Sequence, residues 1–282
     1  MYLPLLCFWL AVTAKAHAAA APPAAASTLP PGVHRIGRIE EPALREVSGV
    51  AASQRYTNVF WTHTDGKKRP VLFAIDRSGR TLARFPVMAK MEDWEDIALD
   101  QEGHLFLGDI GNNDLLRKEL RVFRIDEPNP SSSGTRLRVS RTWRLQFPKK
   151  PFDCESLFIF ENNGYVISKV FDDKAAALYR FSLQEPSGPA VLKWICNLPV
   201  SAPITGATIS DDGKKMALVS HNAAFLFEIN ADLSNAAHLK PFHLKLGDQH
   251  IEGCTFVPDG LLMTSELRDV FLISRAPFGP GR

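Results

Sequence analysis

One short pattern recurs through this chain and limits what it can fold into. Two apolar residues, a variable one and a further apolar one appear as LFAI (72–75), VFRI (122–125), LYRF (178–181) and LFEI (226–229), with VFLI (270–273) as a looser fifth copy. Phe73, Phe123, Tyr179, Phe227 and Phe271 therefore lie 50, 56, 48 and 44 residues apart. Self-similarity at such a period marks a repeat architecture. An apolar, β-rich run precedes each copy: VFWTHTD, LFLGDIGNN, YVISKV, MALVSHN and LLMTSEL. Before each of these stands another: EVSGVAAS, DWEDIALD, DCESLFIF, PITGATIS and HIEGCTFV. The two runs are joined by QRYTN, QEG, ENNG, DDGKK and PDG, all hairpin signals. A fourth run follows the first four copies: TLARFPV, TWRLQF, LKWICNL and LKPFHLKL.

Each unit reads as four antiparallel strands, and radial repetition of such units is the signature of a propeller. The fifth unit ends at VFLISR without a fourth strand, and VHRIGRI (33–39) supplies one from the front of the chain. Pairing first with last would leave no open edge. The expected fold is all-β: a five-bladed β-propeller of four-stranded antiparallel blades, its ring closed by an N-terminal strand. A two-sheet sandwich would show neither a fixed period nor an orphan strand at the front. EPNPSSSGTRLRVSR (127–141) is the one long insertion, a surface excursion between outer strands.

The first residues, MYLPLLCFWLAVTAKAHAAAAPP, hold an apolar core ahead of Ala-Lys-Ala and Ala-His-Ala, a small-residue cleavage pattern. That core falls well short of the ~20 apolar residues needed to span a bilayer. Residues 1–18 are therefore expected to be a signal peptide, 19–32 an Ala/Pro-rich flexible leader and 33–282 a single propeller domain, exported to the periplasm or beyond, monomeric and without a membrane span. Removing residues 1–18 takes away Lys15 alone among the charges and leaves 32 basic against 31 acidic residues. So balanced a charge offers no electrostatic footprint for nucleic acid. Cys154, Cys196 and Cys254 remain, an odd count that permits at most one disulfide and shows no zinc spacing.

Stacking the first strands gives two apolar columns, Val47/Trp94/Cys154/Ile204/Ile251 and Val50/Ile97/Leu157/Ala207/Cys254, as core positions between blades. Between them runs Ser48/Glu95/Glu155/Thr205/Glu252, preceded by Glu46/Asp93/Asp153/Pro203/His250. The ends of the second strands add His63, Asp109, Lys169, His221 and Glu266, flanked by Asp65, Asn112 and Asn113. In a propeller these columns converge on one rim, where repeat folds bind. So many carboxylates repel one another, and a bound cation relieves this better than Lys169 and the histidines alone. An all-oxygen set of Glu95, Asp109, Asn112, Glu155 and Glu252 suits a divalent cation such as Ca2+. Glu46, His63, Asp93, Asp153, His250, Glu252 and Glu266 are candidate ligand contacts. The plainer alternative is that these acids bond backbone amides and tie blades together. Asp211, Asp212 and Asp259 fall in turns at the other end, and Lys67, Lys68 and Arg69 form a short basic loop beside the rim.

EVSGVAAS with VFWTHTDG, DWEDIALD with LFLGDIGNN, and DCESLFIF with YVISK resemble exported bacterial propellers of the esterase-like phytase and SdiA-regulated groups. The resemblance runs from about Val33 to Arg275 and is strongest in the first half. It implies a propeller and lands on Glu46, Ser48, Asp93, Glu95, Asp96, Asp109, Asn112, Asn113 and Glu155. Thr205 departs from the pattern, and the Arg-His-Gly motif of acid phytases is absent. Two functions follow as expectations. One is an exported binding propeller holding a divalent cation with a small ligand or an envelope partner. The other is a metal-dependent hydrolase of phosphate or carboxylic esters, with Glu95 or Glu155 as general base and Lys169 or His221 on the substrate anion. No Gly-x-Ser-x-Gly nucleophile turn is present. An inverting glycosidase would need a carboxyl spacing that sequence does not give.

Overall fold

The computed structural model describes residues 29–65, 70–171, 174–184 and 188–274. The signal segment, most of the leader and the Lys67–Arg69 loop lie outside these residues. Blade 1 comprises Val47–Ala52, Phe60–Thr64, Val71–Ile75 and Thr81–Met88. Blade 2 comprises Trp94–Leu99, His104–Asp109, Glu119–Asp126 and Arg141–Gln146. Blade 3 is built from Cys154–Phe160, Asn163–Ser168, Ala177–Ser182 and Lys193–Asn197. Blade 4 is built from Gly206–Ile209, Lys215–Ser220, Ala223–Glu228 and Phe242–Lys245. Blade 5 takes Ile251–Val257, Gly260–Ser265 and Asp269–Ser274, and Val33–Arg38 completes it from the front of the chain. The closing register runs from Val33 opposite Ile273 to Arg38 opposite Asp269. The protein is thus a five-bladed β-propeller.

The repeated aromatic explains the ring. Phe73, Phe123, Phe227 and Phe271 are buried and Tyr179 is half-buried, and each packs into a different one of five apolar clusters, one per blade interface. Burying such a side chain contributes on the order of 2 kcal/mol. Outer strands bury one face: in Thr81–Met88, Ala83, Phe85 and Val87 are buried while Arg84, Pro86 and Met88 are exposed, the period-2 alternation of a half-covered strand. Inner strands neighbour one another around the axis and are buried on both faces.

The excursion after Glu127 is more than a loop. Leu137–Arg138 pairs parallel with Thr81–Met88, so blade 2 lends blade 1 a fifth strand. Pro189–Val191 does the same from blade 3 to the outer strand of blade 2. Both straps cover outer edges that would otherwise expose a row of unpaired backbone groups. Of the leader, Leu29 packs against the cluster between blades 4 and 5, and the Gly32 carbonyl accepts from Ser274 N. Among the described residues no helix is long and apolar enough to cross a membrane.

Candidate functional site

The polar column owes its position to irregularity in the inner strands. Their register with the second strands shifts between Val47 and Val50, Trp94 and Asp96, Cys154 and Leu157, and Ile251 and Gly253. A bulge at this place turns a side chain out of the pleat, and so Ser48, Glu95, Glu155 and Glu252 stand at equivalent points around the axis. In blade 4 the strand begins one residue after Thr205.

One residue further on lies a column that sequence reasoning overlooked: Gly49, Asp96, Ser156, Gly206 and Gly253. Only one of these five carries a large side chain. The Asp96 carboxylate is buried, accepting from Ile97 N at 2.8 Å and from Leu157 N of the next blade at 2.7 Å. A Cβ on Gly49 would stand 2.3 Å from Asp96 Oδ1. Burial pushes Asp96 well above the usual carboxylate range, against the amides that stabilise its charge. Asp96 is an axial tie between blades. Ser48 and Thr205 are ties as well: Ser48 Oγ donates to the Glu95 carbonyl and Thr205 Oγ1 to the Ile251 carbonyl at 2.8 Å.

The rim above this layer has two arcs. In blades 1 and 2, one carboxylate oxygen from each of Asp65, Asp93 and Glu95 lies within 4.8 Å of the others. Asp65 Oδ1 is buried without a hydrogen-bond partner among the described residues. Gly111 makes room for the group, since a Cβ there would stand 2.2 Å from Glu95 Oε1 and 2.4 Å from Asp93 Oδ2. Burial first, then the charges of Asp93, Glu46 and Glu252, push Asp65 up to about 6. Glu95 is raised well above its ordinary value by burial, then by Glu155, Asp65 and Asp93.

In blades 3 to 5 the acids are paired. Glu155 Oε1 meets Lys169 Nζ at 2.5 Å. Burial pushes Glu155 up to about 7 even though Lys169 pulls the other way, and the acids around Lys169 outweigh burial and hold it above its ordinary value. His221 Nε2 lies 2.9 Å from Glu252 Oε1, and this hydrogen bond raises the imidazole. His250 Nδ1 lies 3.2 Å from Glu266 Oε2, and the His221 and His250 rings stack at 5.5 Å. Glu46 and His250 share a left-handed backbone, φ 56° and 52°, and their carbonyls accept from Asp65 N and Glu266 N. This strained conformation recurs where the chain enters the first and fifth inner strands.

Three candidates take other places. Asp109 is fully buried beside the rim: its Oδ1 accepts from Glu92 N and Asp93 N at 2.9 and 2.7 Å, and its Oδ2 faces Arg117 at 3.2 Å and Arg121 at 3.1 Å. Asn112 accepts from Arg117 N at 2.9 Å and donates to the Phe152 carbonyl at 3.2 Å, so its amide shapes the loop. His63 is sealed in the core with its ring stacked on Trp94 at 4.0 Å, and burial drops it to about 3. The stacked sequence columns slipped at this point. Val47 opposes Thr64 and Trp94 opposes Asp109, whereas Cys154 opposes Ser168 and Ile251 opposes Ser265. The equivalents of Lys169 and Glu266 are therefore Asp65 and Ile110, two residues past His63 and one past Asp109. Asp153 remains at the rim, with Oδ1 accepting from Asn112 N at 2.7 Å. Arg117 and Arg121 were overlooked altogether, although the basic run after the GDIGNN loop, Arg117, Lys118, Arg121 and Arg124, was their visible signal.

Asp211, Asp212 and Asp259 lie in turns at the opposite end of the ring. The three described cysteines, Cys154, Cys196 and Cys254, are free and buried. No family model matches the chain, and no curated protein matches it. Among solved structures, a gluconolactonase from Xanthomonas campestris is 13% identical over 81% of this chain and 71% of its own, with a TM-score of 0.48. Hydrazine synthase of Kuenenia stuttgartiensis is 9% identical over 80% and 70%, with a TM-score of 0.46. A nidogen/laminin complex is 14% identical over 79% and 73%, with a TM-score of 0.44. None of these three reaches 0.5, and the functional reading rests on the site.

Proposed function

We propose that this is an exported binding propeller whose rim holds a divalent cation, Ca2+ by its all-oxygen donor set, through Asp65, Asp93 and Glu95. The convergence of three carboxylate oxygens within 4.8 Å over Gly111 is the observation that carries this reading. Burial and the neighbouring acids disfavour the charged forms of Asp65 and Glu95, and a hard cation with oxygen preference relieves that cost. Compared with the set expected from sequence, Asp65 and Asp93 replace Asp109 and Asn112, and Glu155 and Glu252 stand across the opening. The cation supplies positive charge against an anionic group of a small ligand. Lys169, His221 and His250 stand on the other arc to receive the rest of that anion, already oriented by Glu155, Glu252 and Glu266.

Glu155 supports a second reading, a hydrolase of phosphate or carboxylic esters. A carboxyl poised at about 7 and fixed by Lys169 is suited to take a proton from water at neutral pH. The test is a melting titration with Ca2+ at pH 7.5, run beside assays of a generic phosphoester and a generic ester. A melting rise lost in Glu95→Gln, with no turnover, supports the binding propeller. Turnover lost in Glu155→Gln replaces it with the hydrolase, and a melt indifferent to divalent cations removes the cation from both.

A further inference from the structure

The two ends of the ring differ in what their loops expose. Among the described residues Leu115, Leu116, Phe171 and Leu267 are 51%, 76%, 59% and 51% exposed. All four stand on connections from second to third strands, the loops of the rim end. The other exposed large apolar side chains, Met88, Val191, Trp194 and Phe242, belong to outer strands or to a strap, and the described turns of the opposite end carry none. The blade 2 loop is built to hold its pair outward. Leu115 N donates to the Asn112 carbonyl at 2.8 Å, Leu116 N to Asp114 Oδ1 at 3.0 Å and Arg117 N to Asn112 Oδ1 at 2.9 Å. Leu115 keeps a left-handed backbone, φ 59°, which a leucine rarely adopts. Strain of this kind persists only where the surroundings impose it. Phe171 stands on the neighbouring blade, its ring 6.0 Å from Lys169 Nζ.

Beside these three side chains the rim loops of blades 2 and 3 expose Lys118, Lys149, Lys150 and Lys174, none of them in an ion pair with a described residue. Of the nearby acids, Glu92 and Glu119 are taken up by Arg117, Arg121 and Arg144, which leaves Asp114 exposed; Asp172 and Asp173 lie outside the described residues. Lysine is depleted at protein–protein interfaces, so this mixture suits a protein partner poorly. It suits an anionic lipid surface, where apolar tips enter the acyl boundary and ammonium groups meet the headgroups. We infer that the blade 2–3 side of the rim docks on an anionic phospholipid surface, with Leu115, Leu116 and Phe171 entering the headgroup–acyl boundary and the four lysines facing the phosphates. Glu95, Asp153 and Glu155, the acids on this side of the opening, are buried and stand back from the headgroups. This docking goes beyond the cation reading and does not depend on it.

The test is co-sedimentation of the full chain with vesicles of phosphatidylcholine alone and of equimolar phosphatidylcholine and phosphatidylglycerol, with hydrogen exchange measured on the bound protein. EDTA is present throughout, so the outcome is read apart from any Ca2+ site. The anionic vesicles are expected to bind at least roughly tenfold more tightly than the neutral ones and to slow exchange in residues 113–118 and 169–171. Leu116→Ser with Phe171→Ser should weaken binding about tenfold or more, by removing apolar insertion. Lys149→Glu with Lys150→Glu should weaken it roughly fivefold for each lysine and erode the preference for anionic lipid. Trp194→Ser with Phe242→Ser, which removes exposed apolar groups from outer strands, should change nothing. Equal binding of both vesicles would overturn the inference, as would binding with unchanged exchange in the rim loops, the result that adhesion through the apolar start of the chain would produce. A vesicle-free dimer abolished by Leu116→Ser with Phe171→Ser would assign the surface to a second copy and overturn it equally.

Discussion

Glu95 and Asp109 belong to the same blade, 14 residues apart, and in the sequence both look like metal ligands. Asp109 is surrounded by positive charge: two backbone amides donate to its Oδ1, and its Oδ2, without a hydrogen bond among the described residues, faces the guanidinium groups of Arg117 and Arg121 as ion pairs. Glu95 is surrounded by acids, and burial first, then Glu155, Asp65 and Asp93, raise it. One carboxylate is consumed in holding the loop, while the other is left under electrostatic stress at the opening. An acid-rich motif therefore says nothing about binding until the counter-charges are located. Buried carboxylates that lack them are the ones a cation would stabilise.

The sharpest way to break this contrast is to remove each acid in turn. Asp109→Ala should destabilise the protein by about 3–5 kcal/mol, because two arginines and two amides lose a buried partner. Glu95→Gln, by contrast, should not lower the cation-free melting temperature at pH 7.5. Equal losses in both variants would erase the distinction. His63 extends the contrast to acid pH. Its folded value of about 3 lies below the ordinary 6.5. Its contribution is therefore complete above about 6.5 and is lost progressively as pH falls toward 3, amounting to on the order of 5 kcal/mol. His63→Phe, which keeps an aromatic against Trp94, should flatten the acid limb of a stability–pH profile measured by denaturant unfolding.

Gly111→Ala tests the close approach itself. Its Cβ would displace the Glu95 and Asp93 oxygens, with a cost of about 1–3 kcal/mol for overpacking and loss of any Ca2+-dependent melting rise. The smallest effect concerns the acids of the opening. Asp65 and Glu155 titrate at about 6 and about 7 when folded, above their ordinary values. Their contribution is whole below about pH 4 and is lost as pH rises through 6 to 7. Without cation, Asp65→Asn should lessen the decline in stability between pH 5 and pH 7.5, while added Ca2+ should offset it in the wild type only.

The architecture was legible because a fivefold repeat leaves a periodic mark: the aromatic of each third strand and the orphan strand at the front were both in plain view. The straps at Leu137–Arg138 and Pro189–Val191 were not, since strands of two or three residues carry no periodicity of their own. The site was half legible. Glu95, Asp93, Glu155, Lys169, His221, Glu252, His250 and Glu266 do gather at one opening, and the recurrence of acids at one place in successive blades is what signalled them. His63 and Asp109 were misplaced because bulges and unequal strand ends shift the register, and a slip by one residue turns a side chain to the other face. Gly49 carried no sign of its role, which is to leave room for the Asp96 carboxylate of the next blade.

The most direct measurement is calorimetric titration of the full chain with Ca2+ at pH 7.5 in buffers of different ionisation enthalpy, which reports both binding and the protons released. Because burial and neighbouring acids raise Asp65 and Glu95, one cation should bind and expel protons, and the release should shrink in Glu95→Gln. Binding with no proton release, or release unchanged in Glu95→Gln, would place the cation elsewhere and contradict the account.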